Sequence, residues 1–289
     1  MRNPFRAWIK IFFVFVCSAC AVVCLVTFIV DPLWFFAHSN RFNSRQLPFN
    51  ECQQKSNYLV HRNNSFDALV LGSSRMTSFH QQDVVGYQAF NNAISGTLSP
   101  ELGEYVEFAK RHNSRPFKLI IIGLDFFSTN ANFKGFGSRE IRTVFANAES
   151  PWYRAKYLMT LDALRFSIRN LRLYFGLSDG KPYYDRHNTL TVPVLSRDAR
   201  DASLRRDLAT FQNDFYGQSY RYRDLSKTFR ELVAQNPDSR FIVFATPESL
   251  PAWQVMIIMI LMDHQHRGCR VRHYPTLLDG MIDHPIIPP

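Results

Sequence analysis

The segment 67–75, DALVLGSSR, constrains the fold more than any other part of this 289-residue chain. Its apolar run from Ala68 to Leu71 ends at Gly72, and two serines and an arginine follow. A buried parallel strand has this pattern where it stops at the carboxyl edge of an α/β sheet. Glycine permits a tight turn there, so a serine just after it can be presented to solvent. The two serines are therefore either a nucleophile position or ordinary helix-capping and turn residues.

The rest of the chain predicts a mostly parallel sheet. Short apolar runs at 87–90, 118–122 and 240–245 are predicted strands, and helical spacing is present at 102–109, 150–176, 198–212 and 222–235. Apolar strands that alternate with helices favour a parallel sheet covered on both faces. The sequence thus predicts an α/β domain over residues 61–250. In the helix 150–176 the expected buried stripe is Leu158, Leu161, Leu164 and Ile168, and 177–196 is expected to be irregular.

An uncharged apolar run from Ile11 to Val30 precedes this domain. About 20 residues suffice to cross a hydrocarbon core of about 30 Å, so we predict a transmembrane anchor at 11–30. The basic residues of the N-terminal segment 1–10 predict that this segment stays in the cytoplasm and that the main domain is exported. The aromatic residues Trp34, Phe35 and Phe36 are expected to form an interfacial belt. Residues 31–60, rich in Asn, Gln and Ser, are expected to be an irregular stalk.

Two alternatives to an uncleaved anchor are a cleaved signal peptide and a lipid-modified Cys20. Ala19-Cys20-Ala21 matches a cleavage site only weakly, because it lies inside the apolar run. Cys17, Cys20 and Cys24 share one helix face, which is typical of helix packing. Cys52 and Cys269 leave room for one disulfide in the exported part, which is too few for a disulfide framework.

The net charge of +10 favours contact with anionic lipid head groups or acidic envelope polymers. The basic residues are scattered, and no nucleic-acid-binding module accompanies them, so we expect no nucleic acid partner. The expected partners are the lipid bilayer, through residues 11–30, and envelope polysaccharide or other envelope proteins.

The candidate catalytic residues lie in three loops that follow predicted strands. These loops are Gly72-Ser73-Ser74-Arg75, then 91–96, then Gly123-Leu124-Asp125. This order resembles the SGNH (GDSL-like) hydrolase superfamily, and most closely its membrane-anchored envelope members. Those include proteins that serve alginate O-acetylation and teichoic-acid D-alanylation. The resemblance implies a flavodoxin-like three-layer sandwich, a nucleophile at Ser74 and an oxyanion contact from the backbone N–H of Gly96. Asp125 stands where that family has asparagine, and Arg75 is a candidate partner for it.

The chain departs from the family pattern at two points. An ionised Asp125 cannot donate a hydrogen bond to an oxyanion. The Asp-x-x-His block that supplies the base is missing after the fourth strand, and the weak candidates that remain are His264, His266 and His284. A serine without a base is a poor nucleophile. We expect no metal and no cofactor, since Asp263, His264 and His266 lack further ligands.

The resulting hypothesis is a single-pass protein of a bacterial inner membrane, whose exported domain acts on acyl esters of an envelope glycan or lipid as an esterase or acyltransferase. The alternative is a non-catalytic envelope binding or scaffold protein on the same fold. The tail 251–289 has an atypical composition, with an apolar run from Val255 to Met262 and a proline-rich end. It is native, truncated or frame-shifted, and resequencing the coding DNA beyond Leu250 distinguishes these cases.

Overall fold

The computed structural model describes residues 4–134, 138–178, 180–194, 196–210 and 221–246. Within these ranges the chain is a mixed α/β protein with a parallel sheet and a long apolar helix near its N-terminus. The helices are α1 (Pro4–Val30), α2 (Glu51–His61), α3 (Ser74–Thr77), α4 (Leu102–Arg111), α5 (Ser138–Glu149), α6 (Pro151–Tyr157), α7 (Leu161–Tyr174), α8 (Arg197–Thr210) and α9 (Ser226–Ala234). The strands are β1 (Ala68–Leu71), β2 (Ala89–Asn91), β3 (Leu119–Leu124), β4 (Tyr183–Tyr184), β5 (Leu190–Thr191) and β6 (Arg240–Ala245).

The main sheet has the strand order β2-β1-β3-β6, and each neighbouring pair is parallel. Because successive side chains of a strand point to opposite faces, the two faces take alternate residues. Leu69 and Leu71 join a core cluster with α2, α4, α5 and α9, whereas Ala68 and Val70 join a second cluster with Met76 of α3. Burial of β1 on both faces explains why its sequence is continuously apolar, and the predicted parallel α/β sheet is confirmed.

Helix α1 contains the predicted anchor. Its 27 residues are long and apolar enough over Phe5–Val30 to cross a membrane. Most of the side chains in this helix are exposed on the protein, which distinguishes it from a core helix. That it crosses a membrane, and in which direction, stays a prediction.

The expected irregular stalk at 31–60 is wrong for much of that segment. Trp34 and Phe35 are 1% and 0% exposed, so they belong to the protein core and not to an interfacial belt. Helix α2 begins after Asn50, whose side chain accepts a hydrogen bond from the Gln53 backbone. The many Asn and Gln residues suggested a loop, yet several are buried and bind backbone carbonyls.

The single helix predicted at 150–176 is two helices, α6 and α7, because Thr160 caps the second one through its hydroxyl. The predicted stripe is also wrong, since Leu161 is 82% exposed. The residues of α7 that are buried are Ala163, Ser167, Asn170 and Leu173. Polar Asn170 is buried because it binds the segment 46–47, a pairing that apolar periodicity does not reveal. Likewise 177–196 is not wholly irregular, because β4 and β5 form an antiparallel pair there.

Candidate functional site

A tight glycine turn lies at the carboxyl edge of the sheet. We define this edge as Gly72–Arg75, Asn91–Gly96, Asp125 and Thr246. Gly72 has a φ of +146°, a region that only glycine adopts readily. A Cβ atom at Gly72 would also collide with the side chain of Met76 and come within 2.9 Å of the Gly123 carbonyl oxygen. A Cβ at Gly123 would collide with the same methionine. The two glycines therefore let β1, β3 and α3 approach closely.

The loop after β2 lies against this turn. The backbone N–H of Asn92 donates to the Val70 carbonyl over 2.8 Å, and that of Ile94 donates to the Gly72 carbonyl over 3.0 Å. These bonds continue the parallel pairing of β1 and β2 past the ends of the strands. They place the first two sequence blocks side by side at the carboxyl edge.

Ser73 and Ser74 differ sharply in exposure. Ser74 is exposed as the first residue of α3, whereas Ser73 is 1% exposed. Ser73 occupies the N-cap position, yet its side chain makes no capping hydrogen bond, and its hydroxyl has no partner within the described ranges. Capping therefore does not account for Ser73, and Ser74 is the serine that a substrate can reach.

Asp125 is held in a buried polar cluster. Its Oδ1 accepts hydrogen bonds of 2.6 Å from Arg75 Nη1 and of 2.6 Å from the Thr246 hydroxyl. The carboxylate side chain is 2% exposed and that of Arg75 is 22% exposed. An ionised carboxylate can only accept hydrogen bonds. Asp125 thus ties the ends of β1, β3 and β6 together and supplies no donor for an oxyanion.

Two backbone N–H groups at this edge are available. In the described part of the chain neither Ser74 nor Gly96 donates its backbone N–H to a protein acceptor. Gly96 has a φ of +82°, which directs the chain out of the β2 loop in a conformation that glycine favours. Unpaired backbone N–H groups are the kind of donor that an oxyanion hole requires.

A buried lysine beneath the β2 loop was not predicted from the sequence. Lys55 of α2 is fully buried, and its Nζ donates to the carbonyls of Asn91 and Ala93 over 3.0 and 2.6 Å. The ammonium also lies 5.2 Å from the centre of the Tyr184 ring. Burial lowers the pKa of Lys55 to about 8, although the charge of Glu51 acts in the opposite direction.

Glu51 fixes the same loop from another side. One carboxylate oxygen accepts the Ser95 backbone N–H over 2.8 Å, and the other accepts the Tyr184 hydroxyl over 2.6 Å. Burial, followed by this carboxylate, raises the pKa of Tyr184. Neither Lys55 nor Glu51 carries a signal in the sequence ECQQKSNYLVH, since only the tertiary fold brings α2 beneath the loop.

A cavity of about 570 Å³ adjoins this region and is lined by Glu51, Cys52, Ile94, Ser95 and Tyr105, among others. Ser74, Gly96 and Asp125 do not line it. Burial raises the pKa of Cys52 to about 11, so its thiol stays protonated and unreactive at neutral pH. The cavity thus reaches the carboxyl edge at Ile94 and Ser95 but is not a pocket around Ser74.

The candidate bases His264, His266 and His284 lie outside the described residues, as does Cys269, the other cysteine of the predicted exported part. Within the described ranges, no group of three or more His, Cys, Asp or Glu residues could hold a metal ion. The Ser74 hydroxyl has no hydrogen-bonded base in that part of the chain. The assignments of Ser74, Arg75, Gly96 and Asp125 to catalytic roles stay predictions.

No family model, no curated protein and no solved structure matches the chain. The class of protein is therefore defined by fold and site. It is a mixed α/β protein with a parallel sheet, preceded by a helix long and apolar enough to cross a membrane. Any more particular function rests on the chemistry of the carboxyl edge.

Proposed function

We propose that this protein is a membrane-anchored member of the SGNH type that acts on acyl esters of an envelope glycan or lipid through Ser74. The observation that carries the proposal is the exposure of Ser74 directly after the carboxyl end of β1, together with the backbone N–H groups of Ser74 and Gly96, which donate to no protein acceptor in the described ranges. Active sites of open parallel sheets form at this edge.

The strand order supports a flavodoxin-like interpretation of the fold. The order β2-β1-β3-β6 matches the first four positions of the flavodoxin-like order 2-1-3-4-5. In that order the ligand site lies where the chain reverses direction across the sheet, between β1 and β3. Ser74 follows β1 and Asp125 follows β3, so both residues flank that point.

The proposed reaction begins with attack of Ser74 Oγ on the carbonyl carbon of an acyl ester while a base removes the hydroxyl proton. The N–H groups of Ser74 and Gly96 stabilise the negative charge on the carbonyl oxygen. Collapse of the tetrahedral intermediate expels the alcohol, which takes the proton back, and leaves an acyl-Ser74 ester. Water or a second hydroxyl then releases the acyl group. The base is a histidine of the tail, with His264, His266 and His284 as the candidates.

In this proposal α1 anchors the protein in the inner membrane with its N-terminus in the cytoplasm. The basic residues of the first ten positions support that direction. The α/β domain then lies on the outer side, where envelope polysaccharide and lipid are accessible to it.

The test is labelling of the full chain in detergent micelles with a fluorophosphonate probe, which acylating serines attack. We expect the parent protein and Ser73→Ala to be labelled and Ser74→Ala to be unlabelled. Ser73→Ala is the matched control, because it removes the neighbouring hydroxyl and leaves Ser74 in place. Absence of labelling in the parent, or equal labelling of Ser74→Ala, overturns the proposal.

A non-catalytic envelope binding or scaffold protein is the second candidate. The observation that favours it is Asp125, which occupies the family's asparagine position and is bound to Arg75 and Thr246. This candidate predicts that Ser74→Ala preserves the cellular phenotype, whereas removal of α1 abolishes it. Loss of the phenotype in a stably folded Ser74→Ala protein would exclude it.

A further inference from the structure

The helices α6 and α7 expose large apolar side chains to solvent. Trp152 is 83% exposed, and Leu161 is 82% exposed. Met159 and Ile168 are exposed on the same pair of helices and their connection. Scattered single apolar residues are ordinary on a protein surface, but large apolar residues gathered on one helical pair indicate a contact surface.

This helical pair is fixed to the end of the apolar helix α1. Helix α7 packs against α1. The side chain of Asn170 donates to Gln46, which in turn donates to the Val30 carbonyl over 2.7 Å. Asn170 also accepts the Leu47 backbone N–H over 3.0 Å. Since Val30 is the last residue of α1, α7 lies where the chain leaves the apolar helix.

The exposed face of α7 alternates apolar and basic residues. Leu161, Arg165, Ile168 and Arg172 are all exposed, and their spacing of four, three and four residues places them along one helical face. Over residues 151–177 the chain has five basic residues and one acidic residue, Asp162. Helices that lie in a membrane interface combine aromatic and aliphatic residues with Lys and Arg in this way.

Two of the basic side chains cover aromatic rings. The guanidinium of Arg154 lies 4.3 Å from the centre of the Phe36 ring, and that of Arg169 lies 5.0 Å from the Phe49 ring. These contacts hold part of the charge close to the segment that follows α1. Arg165 and Arg172 are exposed and face outward.

We propose that the α6–α7 surface, formed by Trp152, Met159, Leu161, Arg165, Ile168 and Arg172, binds the outer surface of the same membrane that α1 crosses. Its apolar side chains enter the boundary between head groups and acyl chains, and its arginines bind anionic lipid head groups. Lipid is the favoured occupant because the surface is continuous with α1 and its charge is complementary to anionic lipid. The inference rests on α1 crossing the membrane and does not depend on the chemistry of Ser74.

The experiment uses the full chain in lipid nanodiscs with brominated acyl chains near the head group, which quench tryptophan fluorescence on contact. The signal of Trp152 is obtained as the difference between the parent and Trp152→Phe, because other tryptophans are present. We expect Trp152 to be quenched and its emission blue-shifted in phosphatidylglycerol-containing discs, and less so in pure phosphatidylcholine discs. Higher salt should reduce the difference in Trp152 quenching between the two kinds of disc, because salt screens the attraction of the arginines to anionic lipid.

The charge-reversed variant Arg165→Glu/Arg172→Glu is expected to lose most of the quenching that depends on anionic lipid. Arg205→Glu/Arg206→Glu, which reverses two exposed charges on α8, is the matched control and should retain it. The unfolding midpoint of each variant verifies its fold.

Absence of quenching in both lipids overturns the proposal, and equal quenching in both overturns the anionic-lipid component. If Trp152 is shielded from the lipid quencher, and only in discs that hold two copies of the chain, the surface is assigned to self-association. That result also overturns the proposal. Fluorophosphonate labelling is independent of these outcomes, so failure of this inference is distinguishable from failure of the proposed function.

Discussion

Two buried cations of this protein are compensated in different ways. Arg186, next to the β4–β5 pair, donates to the carboxylate of Asp31 over 2.9 Å and to the carbonyls of Phe36 and His38. Lys55, beneath the carboxyl edge of the sheet, is just as buried. It has carbonyl partners and an aromatic ring, but no carboxylate within ion-pair distance among the described residues.

The ion pair of Arg186 with Asp31 is a structural contact, whereas the hydrogen bonds of Lys55 depend on the protonation of its amine. Asp31 follows the last residue of α1, and its carboxylate also accepts the backbone N–H groups of Phe35 and Phe36. The pair with Arg186 therefore secures the junction between α1 and the α/β domain. Lys55 holds the loop that carries Gly96, and burial lowers its pKa to about 8. The loop of the candidate site thus depends on a group that titrates near physiological pH.

The largest expected effect is the loss of charge compensation at the junction. Asp31→Asn leaves Arg186 buried without a carboxylate, and we expect the free energy of unfolding to fall by about 3 kcal/mol. Asparagine is chosen because Asp31 has a φ of +45°, which Asn tolerates better than Ala. Chemical denaturation of the full chain in detergent micelles measures the change.

The matched control is Asp125→Asn, which removes a second buried carboxylate that pairs with an arginine. Arg75 reaches solvent with 22% of its side chain, so we expect a loss of only about 1 kcal/mol. Equal losses of unfolding free energy for Asp31→Asn and Asp125→Asn would contradict this expectation. They would show that solvent access to the arginine does not determine how much stability is lost when its carboxylate is removed.

Lys55→Met should change how stability depends on pH. Between pH 8 and 10.5 an unfolded lysine retains its proton, whereas folded Lys55 has released it. The unfolded state therefore binds more protons, and the free energy of unfolding rises with pH across this window, by up to about 3 kcal/mol at about 1.4 kcal/mol per pKa unit. The difference between parent and variant, measured at pH 7 and pH 10, isolates this contribution.

Lys110→Met serves as the control for Lys55→Met, because Lys110 is partly exposed and forms an ion pair with Glu107. We expect its stability to follow that of the parent at both pH values. Parallel curves for Lys55→Met and the parent would contradict the assigned role of Lys55.

The smallest expected effect concerns the two serines at the carboxyl edge. Ser73→Ala removes a buried hydroxyl that has no partner in the described ranges, so stability should stay the same or rise by up to about 1 kcal/mol. Ser74→Ala changes an exposed residue and should lie within about 0.5 kcal/mol of the parent. A clear loss in thermal stability for Ser73→Ala would mean that a residue beyond those ranges bonds the hydroxyl.

Local patterns predicted some elements well and others badly. Strands β1, β3 and β6 were predicted within two residues of their ends, because buried parallel strands are short, apolar and bounded by turns. The face of α7 was mispredicted, because the helix buries Asn170 against Gln46 and leaves Leu161 exposed. Apolar periodicity identifies a helix but fails to find its buried face where the neighbouring segment is polar.

The candidate site shows the same division. Gly72, Ser74 and Asp125 were predicted because each follows a recognisable strand, and the pairing of Arg75 with Asp125 was suggested by their shared edge. Lys55 and Glu51 were missed, since they belong to a helix whose sequence resembles a polar linker. Their contacts with the loop after β2 join positions between 36 and 44 residues apart in the chain, and those with Tyr184 join positions farther apart still. No local signal encodes such contacts.

By itself the sequence determined the apolar helix α1, the parallel strands and the glycine turn that presents Ser74, because each depends on residues adjacent in the chain. Only the tertiary structure decided which serine is exposed, which cations are buried and what compensates them. Those properties depend on distances between segments far apart in sequence, and on the exclusion of water that their packing produces. The absence of a protein acceptor for the N–H groups of Ser74 and Gly96 in the described ranges is likewise a property that only the tertiary structure decided.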